Sequence, residues 1–345
     1  MVRFTVLASG SKGNSTVVCG GHTRILVDAG LSCRELFRRL ALAGEDPATL
    51  DAIIVTHEHQ DHITGLAVTA RKLGIPVYFT EATHRAWMRW QSPRKQMTYA
   101  QWLDQCRQQA AATQAEASRA EGNQATTGEA DATLAEECEC DEPEAGEVVA
   151  AGTAQGPDGI SAAAGKGEEA GAPKKDPAWL PVVEYFKPGQ PFKIGDIAVS
   201  PFTIPHDAAD PVGFVFMAEG VRMAVATDLG YVTPNVKAQL KGVDLMLLES
   251  NHDLEMLRDG PYPWQVKQRV LSRVGHLSND ATAEFLETSY DGQARYVILG
   301  HLSESNNSPE LARVSAERAL SGRASLWANQ LLLASQHESL SSILF

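Results

Sequence analysis

THEHQDH, residues 56–62, places three of the chain's 10 histidines and one aspartate within seven positions. The apolar run AIIVT leads into His57 as a strand. His57 and His59 are two apart, so an extended chain points both the same way. Asp61 and His62 then open the following helix, where a first-turn carboxylate is favoured. One strand-to-helix corner thus delivers four ligand-type side chains. A mononuclear zinc site takes three or four ligands. Adjacent Asp61 and His62 diverge from the pair before them, so the four do not converge easily on one ion. Two ions sharing the corner resolve the conflict, and they require further ligands from elsewhere.

Candidates for those ligands close later apolar runs. His206 follows FTIP, Asp228 follows MAVAT and His301 follows YVILG. Strand ends of this kind are where α/β folds set their sites. Taken singly, each is an ordinary loop histidine or helix-capping aspartate. The ordered set HxHxDH, His, Asp, His is what points to a metal centre.

The elements that must carry these residues alternate between strand and helix. RFTVLAS is a strand, and STVVCGGHTRILVDAG is a hairpin turning at Gly20-Gly21. CRELFRRLALAG has helical periodicity and ends at Gly44. LDAIIVTH, PVYFT, VVEYFK, VDLMLLES and ARYVILGH read as strands. HITGLAVTARKLG, ATHRAWMRW, PWQVKQRVLSRVG, NDATAEFLETSY and SPELARVSAERALSG read as helices. FKIGDIAVSPFTIPH is β-rich, and VGFVFMAEGVRMAVATD holds a hairpin at Glu219-Gly220. The class is α/β, and two half-units of mixed sheet with external helices suggest a four-layer αββα sandwich.

The chain has 345 residues and a net charge of -13. From Asp104 to Ala178 there are 16 Asp+Glu against 5 Lys+Arg, a balance of -11 that leaves only -2 elsewhere. The acidity is local and does not exclude a polyanionic substrate. This stretch is Ala-, Glu- and Gly-rich and lacks aromatic residues beyond Trp102, so it cannot offset its ordering entropy by burial. The expectation is one domain over residues 1–345, interrupted by a disordered acidic insertion at about 108–176. The insertion is either a tolerated surface segment or a contact for a protein partner. Cys19, Cys33, Cys106, Cys138 and Cys140 are odd in number and never spaced CxxC, which argues against a disulfide framework or zinc ribbon. With no apolar run of membrane-spanning length and no secretory leader pattern, the setting expected is cytoplasmic. Oligomeric state is not legible.

HxHxDH, then a lone His, a lone Asp and a final His, resembles the metallo-β-lactamase fold superfamily over essentially the whole chain outside the insertion. The resemblance implies that His57, His59 and His206 hold one divalent metal. Asp61, His62 and His301 would hold a second, with Asp228 bridging and Asp28 supporting the site from below. Dinuclear β-lactamases carry Cys at the bridging position, and flavo-diiron proteins carry Glu at the second histidine, so neither chemistry is expected. The all-N/O donor set suits zinc and tolerates manganese or iron. The loop SGSKGNS, with Ser9, Ser11, Lys12 and Asn14, has the composition to hold an anion. That loop, together with LVDAG, THEHxDH, ESNHD, GHLSN and LGHLSESNN, is similar to the YycJ/WalJ-type branch. Gln60 departs from the Ser more usual there, at a position that is not a ligand.

The branch implies a phosphodiesterase on nucleic acid, with 5′→3′ exonuclease activity on DNA. In that reading a metal-activated hydroxide attacks phosphorus, Asp61 accepts the water's proton, and His276 donates one to the leaving oxygen. GHLSN resembles the ribonuclease Z stretch whose histidine lies near the substrate phosphate, which assigns His276 to substrate and His301 to metal. His252 is expected to support the site or touch substrate, and His22, His84 and His337 to lie on the surface or in loops. Two rivals share the pattern: a hydrolase of the same fold acting on a thioester, lactone or small ester, and a non-catalytic, metal-stabilised interaction module.

Overall fold

In the computed structural model, residues 1–91, 177–321 and 329–345 are described. The insertion expected at 108–176 lies outside them, as do Cys106, Cys138 and Cys140. Met1–Ser92 and Lys175–Phe345 form one compact unit.

The strands obey a period of two, and this builds the layers. In β11 (Leu245–Glu249), Leu245 and Leu247 join one core while Met246 and Leu248 join another. In β3 (Arg24–Val27), Ile25 and Val27 face the first core and Leu26 a third. A strand buried on both faces needs cover on both, which two sheets and two helical layers supply. The first core lies between the sheets, where Phe4, Val18 and Ile54 share a cluster with Phe214, Phe216 and Leu247. The second packs one sheet against helices carrying Val236, Phe285, Leu286 and Ala316, and the third packs the other against α1 (Cys33–Leu42), which carries Leu36 and Leu40, and helices carrying Ala70 and Trp87. The αββα sandwich is therefore present.

Among the described residues each sheet has seven strands. The first runs β14 (Ile343–Leu344), β1 (Arg3–Ala8), β2 (Ser15–Cys19), β3, β4 (Ala52–Ile54), β5 (Pro76–Phe79) and β6 (Val182–Tyr185). The second runs β13 (Gln330–Leu333), β12 (Tyr296–Gly300), β11, β10 (Val221–Ala226), β9 (Val212–Ala218), β8 (Ile197–Thr203) and β7 (Phe192–Ile194). β3 to β6 are parallel, and so are β10 to β13. Parallel neighbours bring their carboxyl ends to one edge, and the loops leaving those ends carry the site.

Several elements differ from the sequence reading, among them the helices Pro234–Gln239 and Leu254–Asp259, which it did not anticipate. The helix expected over HITGLAVTARKLG is broken into α2 (Gln60–Ile63) and α3 (Leu66–Leu73). A Cβ on Gly65 would lie 2.1 Å from the Leu31 carbonyl oxygen, so glycine permits a close approach there. β13 and β14 were not anticipated, since short apolar runs become strands only by pairing with β12 and β1. His84, expected at the surface, is 8% exposed in α4 (Glu81–Gln91), stacked on Phe79 and 2.7 Å through Nδ1 from the Tyr185 hydroxyl. No helix among the described residues is long and apolar enough to cross a membrane.

Candidate metal centre

The chain leaves β4 and crosses the strand ends through Thr56–His59 before α2 begins, with Asp61 in its first turn. His206 follows β8, Asp228 follows β10, and His301 follows β12. These loops bring together all seven residues singled out as ligands. Donor atoms of His57, His59 and His206 lie within 4.8 Å of one another, as do those of Asp61, His62, Asp228 and His301. Asp228 faces both groups: its carboxylate is 3.2 Å from His62 Nε2, 3.4 Å from His301 Nε2 and 3.9 Å from His206 Nε2.

The donors fit divalent cations. His57 Nε2 and Asp228 Oδ2 are buried without a well-aligned hydrogen-bond partner. His206 Nε2 faces His59 Nδ1 at 3.2 Å, and His301 Nε2 lies 3.4 Å from Asp61 Oδ2. Buried polar atoms left unpaired are costly, and a bound divalent cation would satisfy them.

His57, His62, His206 and His301 are each aimed from behind through the Nδ1 nitrogen. His206 Nδ1 donates to the Gly275 carbonyl at 3.1 Å, and His301 Nδ1 to Glu249 Oε1 at 2.9 Å. Asp28 aligns two rings at once. Its Oδ2 accepts from His62 Nδ1 at 2.8 Å and from the Thr56 hydroxyl at 2.8 Å, and that hydroxyl lies 3.0 Å from His57 Nδ1. Such partners select the tautomer that leaves Nε2 bare for a metal.

Burial and the neighbouring His62 hold His57 well below the ordinary imidazole range, so its ring presents a lone pair. Burial acts the same way on His62 and His301, but Asp228 and the surrounding carboxylates outweigh it and raise both. Cation binding must release those protons. The backbone is held under strain at the same place. Asp28, Asp228 and His301 have φ of 59°, 59° and 55°, a left-handed conformation that costs about 1–3 kcal/mol for a non-glycine residue.

Other expected positions have different surroundings. Ser9 is buried, and its hydroxyl accepts from the His301 amide at 2.8 Å. Asn14 is buried and donates to Asp61 Oδ2 at 3.0 Å. The amides of Gly10, Lys12, Gly13 and Asn14 all bond within the protein. Through Ser9 and Asn14 this loop braces the ligands. Lys12 pairs with Glu304 at 2.5 Å, and Ser11 lines the site cavity. His252 is 1% exposed with neither ring nitrogen bonded, so its ring lies beneath the surface. His276 lines the cavity beside His59 and Asp61.

Glu249 was missed by the sequence reading. It is fully buried, and its Oε1 accepts from His276 Nδ1 at 2.8 Å as well as from His301. Its Oε2 accepts from the amides of Leu229 at 2.5 Å and Leu277 at 3.3 Å. Burial would raise its pKa, but His276 and His301 pull it below the usual carboxylate range. The available signal was a carboxylate closing the apolar strand VDLMLLE, as Asp228 closes its own.

A family model described as the metallo-beta-lactamase superfamily matches residues 8–136, and one described as a beta-lactamase superfamily domain matches residues 157–302. Exodeoxyribonuclease YycJ of Bacillus anthracis is 32% identical over 322 residues, covering 92% of this chain and 89% of the relative. Exodeoxyribonuclease WalJ of Streptococcus pneumoniae serotype 2 (strain D39) is 30% identical over 313 residues, covering 91% and 86%. The crystal structure of YhfI, a metallo-beta-lactamase fold protein from Bacillus subtilis, superposes with a TM-score of 0.56 over 98% of both chains. At 14% identity that likeness speaks for the fold alone.

Proposed function

The chain belongs to the metallo-beta-lactamase superfamily, in the family of the YycJ and WalJ exodeoxyribonucleases, and is a metal-dependent hydrolase; from that premise we propose that it cleaves phosphodiester bonds of nucleic acid, as a 5′→3′ DNA exonuclease. In this reading His57, His59 and His206 would hold one divalent ion, Asp61, His62 and His301 would hold a second, and Asp228 would serve both. Nitrogen and oxygen donors suit zinc first, and accept manganese or iron. When bound, the ions polarise the phosphoryl oxygens and lower the pKa of a water, supplying a nucleophile at neutral pH.

The chain's own residues do the remaining work. Asp61 reaches the cavity and accepts the proton released by the attacking water. Asn14 holds Asp61 in place through its side chain and its backbone amide. Glu249 keeps a proton on His276 Nδ1, which turns Nε2 toward the cavity. A protonated His276 then hands its Nε2 proton to the leaving oxygen. The observation carrying the proposal is this Glu249–His276 pair, 2.8 Å apart, at the wall of the cavity that His59 and Asp61 also line. An alkoxide leaving group needs such a donor, whereas a thiolate leaves without one.

The test is a panel of 5′-phosphorylated and unphosphorylated oligonucleotides, beside a generic thioester, with the full chain loaded with Zn²⁺ or Mn²⁺. Oligonucleotide cleavage should dominate. Asp228→Ala and His59→Ala should lose bound metal and turnover together. Turnover of the thioester with every oligonucleotide left intact would overturn the proposal.

A further inference from the structure

Resting on the metal reading above, we propose that Glu58 is a positioning residue for the ion assigned to His57, His59 and His206: it fixes the loop that carries His206 against the corner that carries the other two.

Glu58 stands between two of the ligands in sequence. Alternate side chains of an extended segment point to opposite sides, so with both histidines turned to the cluster Glu58 is turned away from it. It is 7% exposed, and its Oε1 accepts from the Ala209 amide at 2.8 Å, across 151 residues of chain. Ala209 lies three residues after His206, in the loop of residues 205–210. Burying a carboxylate is costly without a hydrogen bond, and this bond is what the buried position supplies.

The loop is pinched at its base, where the Ile204 amide donates to the Pro211 carbonyl at 3.1 Å. Beyond the pinch its two arms are held by different parts of the molecule. The His206 arm is bound to residues 269–275. His206 Nδ1 donates to the Gly275 carbonyl, the Asp207 amide donates to the Val274 carbonyl at 3.0 Å, and the Asp207 carboxylate accepts from Arg269. The other arm is bound to residues 56–58 and to α4. Glu58 takes the Ala209 amide, the Thr56 carbonyl takes the Val212 amide at 3.1 Å, and the Thr83 hydroxyl donates to the Asp210 carbonyl at 3.4 Å. Glu58 thus joins the two segments whose histidines must meet on one ion. Zinc takes imidazole nitrogen at about 2.0–2.1 Å, so a small drift of the loop forfeits the third bond.

The position also isolates the effect of a substitution. Oε2 of Glu58 is buried without a hydrogen-bond partner, so replacing that oxygen breaks no hydrogen bond. Ala209 is exposed, so its amide, once released, turns to water and the arm leaves the corner without a buried orphan.

The experiment titrates the metal-free full chain with Zn²⁺ against a chromophoric chelator, which gives a dissociation constant for each of two ions, and repeats the titration with Co²⁺ to read each ion's absorption spectrum. Glu58→Met keeps the length of the side chain and removes the acceptor, whereas Glu58→Gln keeps the acceptor as an amide. Glu58→Met should weaken one ion by about 10–100-fold, the range for groups that orient metal ligands, and leave the other within about threefold, while Glu58→Gln should hold both within about threefold of wild type. The weakened ion should be the one whose cobalt spectrum is missing in His206→Ala. Wild-type affinities in Glu58→Met, an equal weakening of both ions, or an equal loss in Glu58→Gln would each overturn the positioning role alone. A wild-type chain that takes up fewer than two ions overturns the metal reading from which it was inferred.

Discussion

Replacing Glu249 by Gln changes one oxygen to an NH2 group without changing shape, and its cost can be worked from the four hydrogen bonds that end on this carboxylate. Oε1 accepts from His276 and His301, and Oε2 from the Leu229 and Leu277 amides. A carboxylate accepts all four, but a carboxamide has one oxygen and serves only one pair. If its nitrogen faces the two amides, two buried donors confront a donor. If it faces the rings, His276 and His301 must shift their protons to Nε2, the atom His301 would offer to a metal. Each unsatisfied donor costs about 1–3 kcal/mol, so the loss is roughly 2–6 kcal/mol, shared between folding and metal binding. Changes to groups that orient metal-binding histidines typically lower metal affinity or activity by about 10–100-fold. Chelator competition would measure metal affinity, and turnover of bis-p-nitrophenyl phosphate would measure activity. Glu249→Asp should also fail, because its shorter stem cannot reach both rings. Metal affinity and turnover within threefold of wild type in Glu249→Gln would refute the reasoning.

Two further perturbations test the scaffold. In Gly30→Ala the new Cβ would sit 1.7 Å from the Asp61 carbonyl oxygen and 2.6 Å from the Asn14 amide nitrogen. The loop bearing Asp61 must shift, so thermal unfolding should show a loss of about 1–3 kcal/mol with weakened metal binding; unchanged values of both would be inconsistent with this packing. His252 is held by burial to a pKa of about 4, below its ordinary 6.5. The unfolded chain binds a proton there that the folded chain refuses, so this stability is complete above about pH 6.5 and is lost as pH falls toward 4. The difference is worth roughly 3 kcal/mol at most. Denaturant titrations of chelated protein should show a shallower acid loss in His252→Gln, and an identical pH slope would count against the burial argument.

What the sequence determined by itself was local. The period of two in VDLMLLE and RILV required cover on both faces, and HxHxDH aimed four donors from one corner because spacing along a strand and a helix sets side-chain direction. His206, Asp228 and His301 were legible because each ends an apolar run. The tertiary structure decided what those residues meet. Glu249 was visible only as the end of a strand until the parallel order β10–β11–β12 set it between Asp228 and His301, with His276 arriving from a separate loop. Ser9 and Asn14 had the composition of an anion loop, yet contacts with His301 and Asp61, distant in the chain, turned them into braces. His252 had the same letters as a substrate contact and was buried. Residue type and spacing fix where a side chain points on its own element, whereas its partners depend on which strand ends the sheet order brings to one edge.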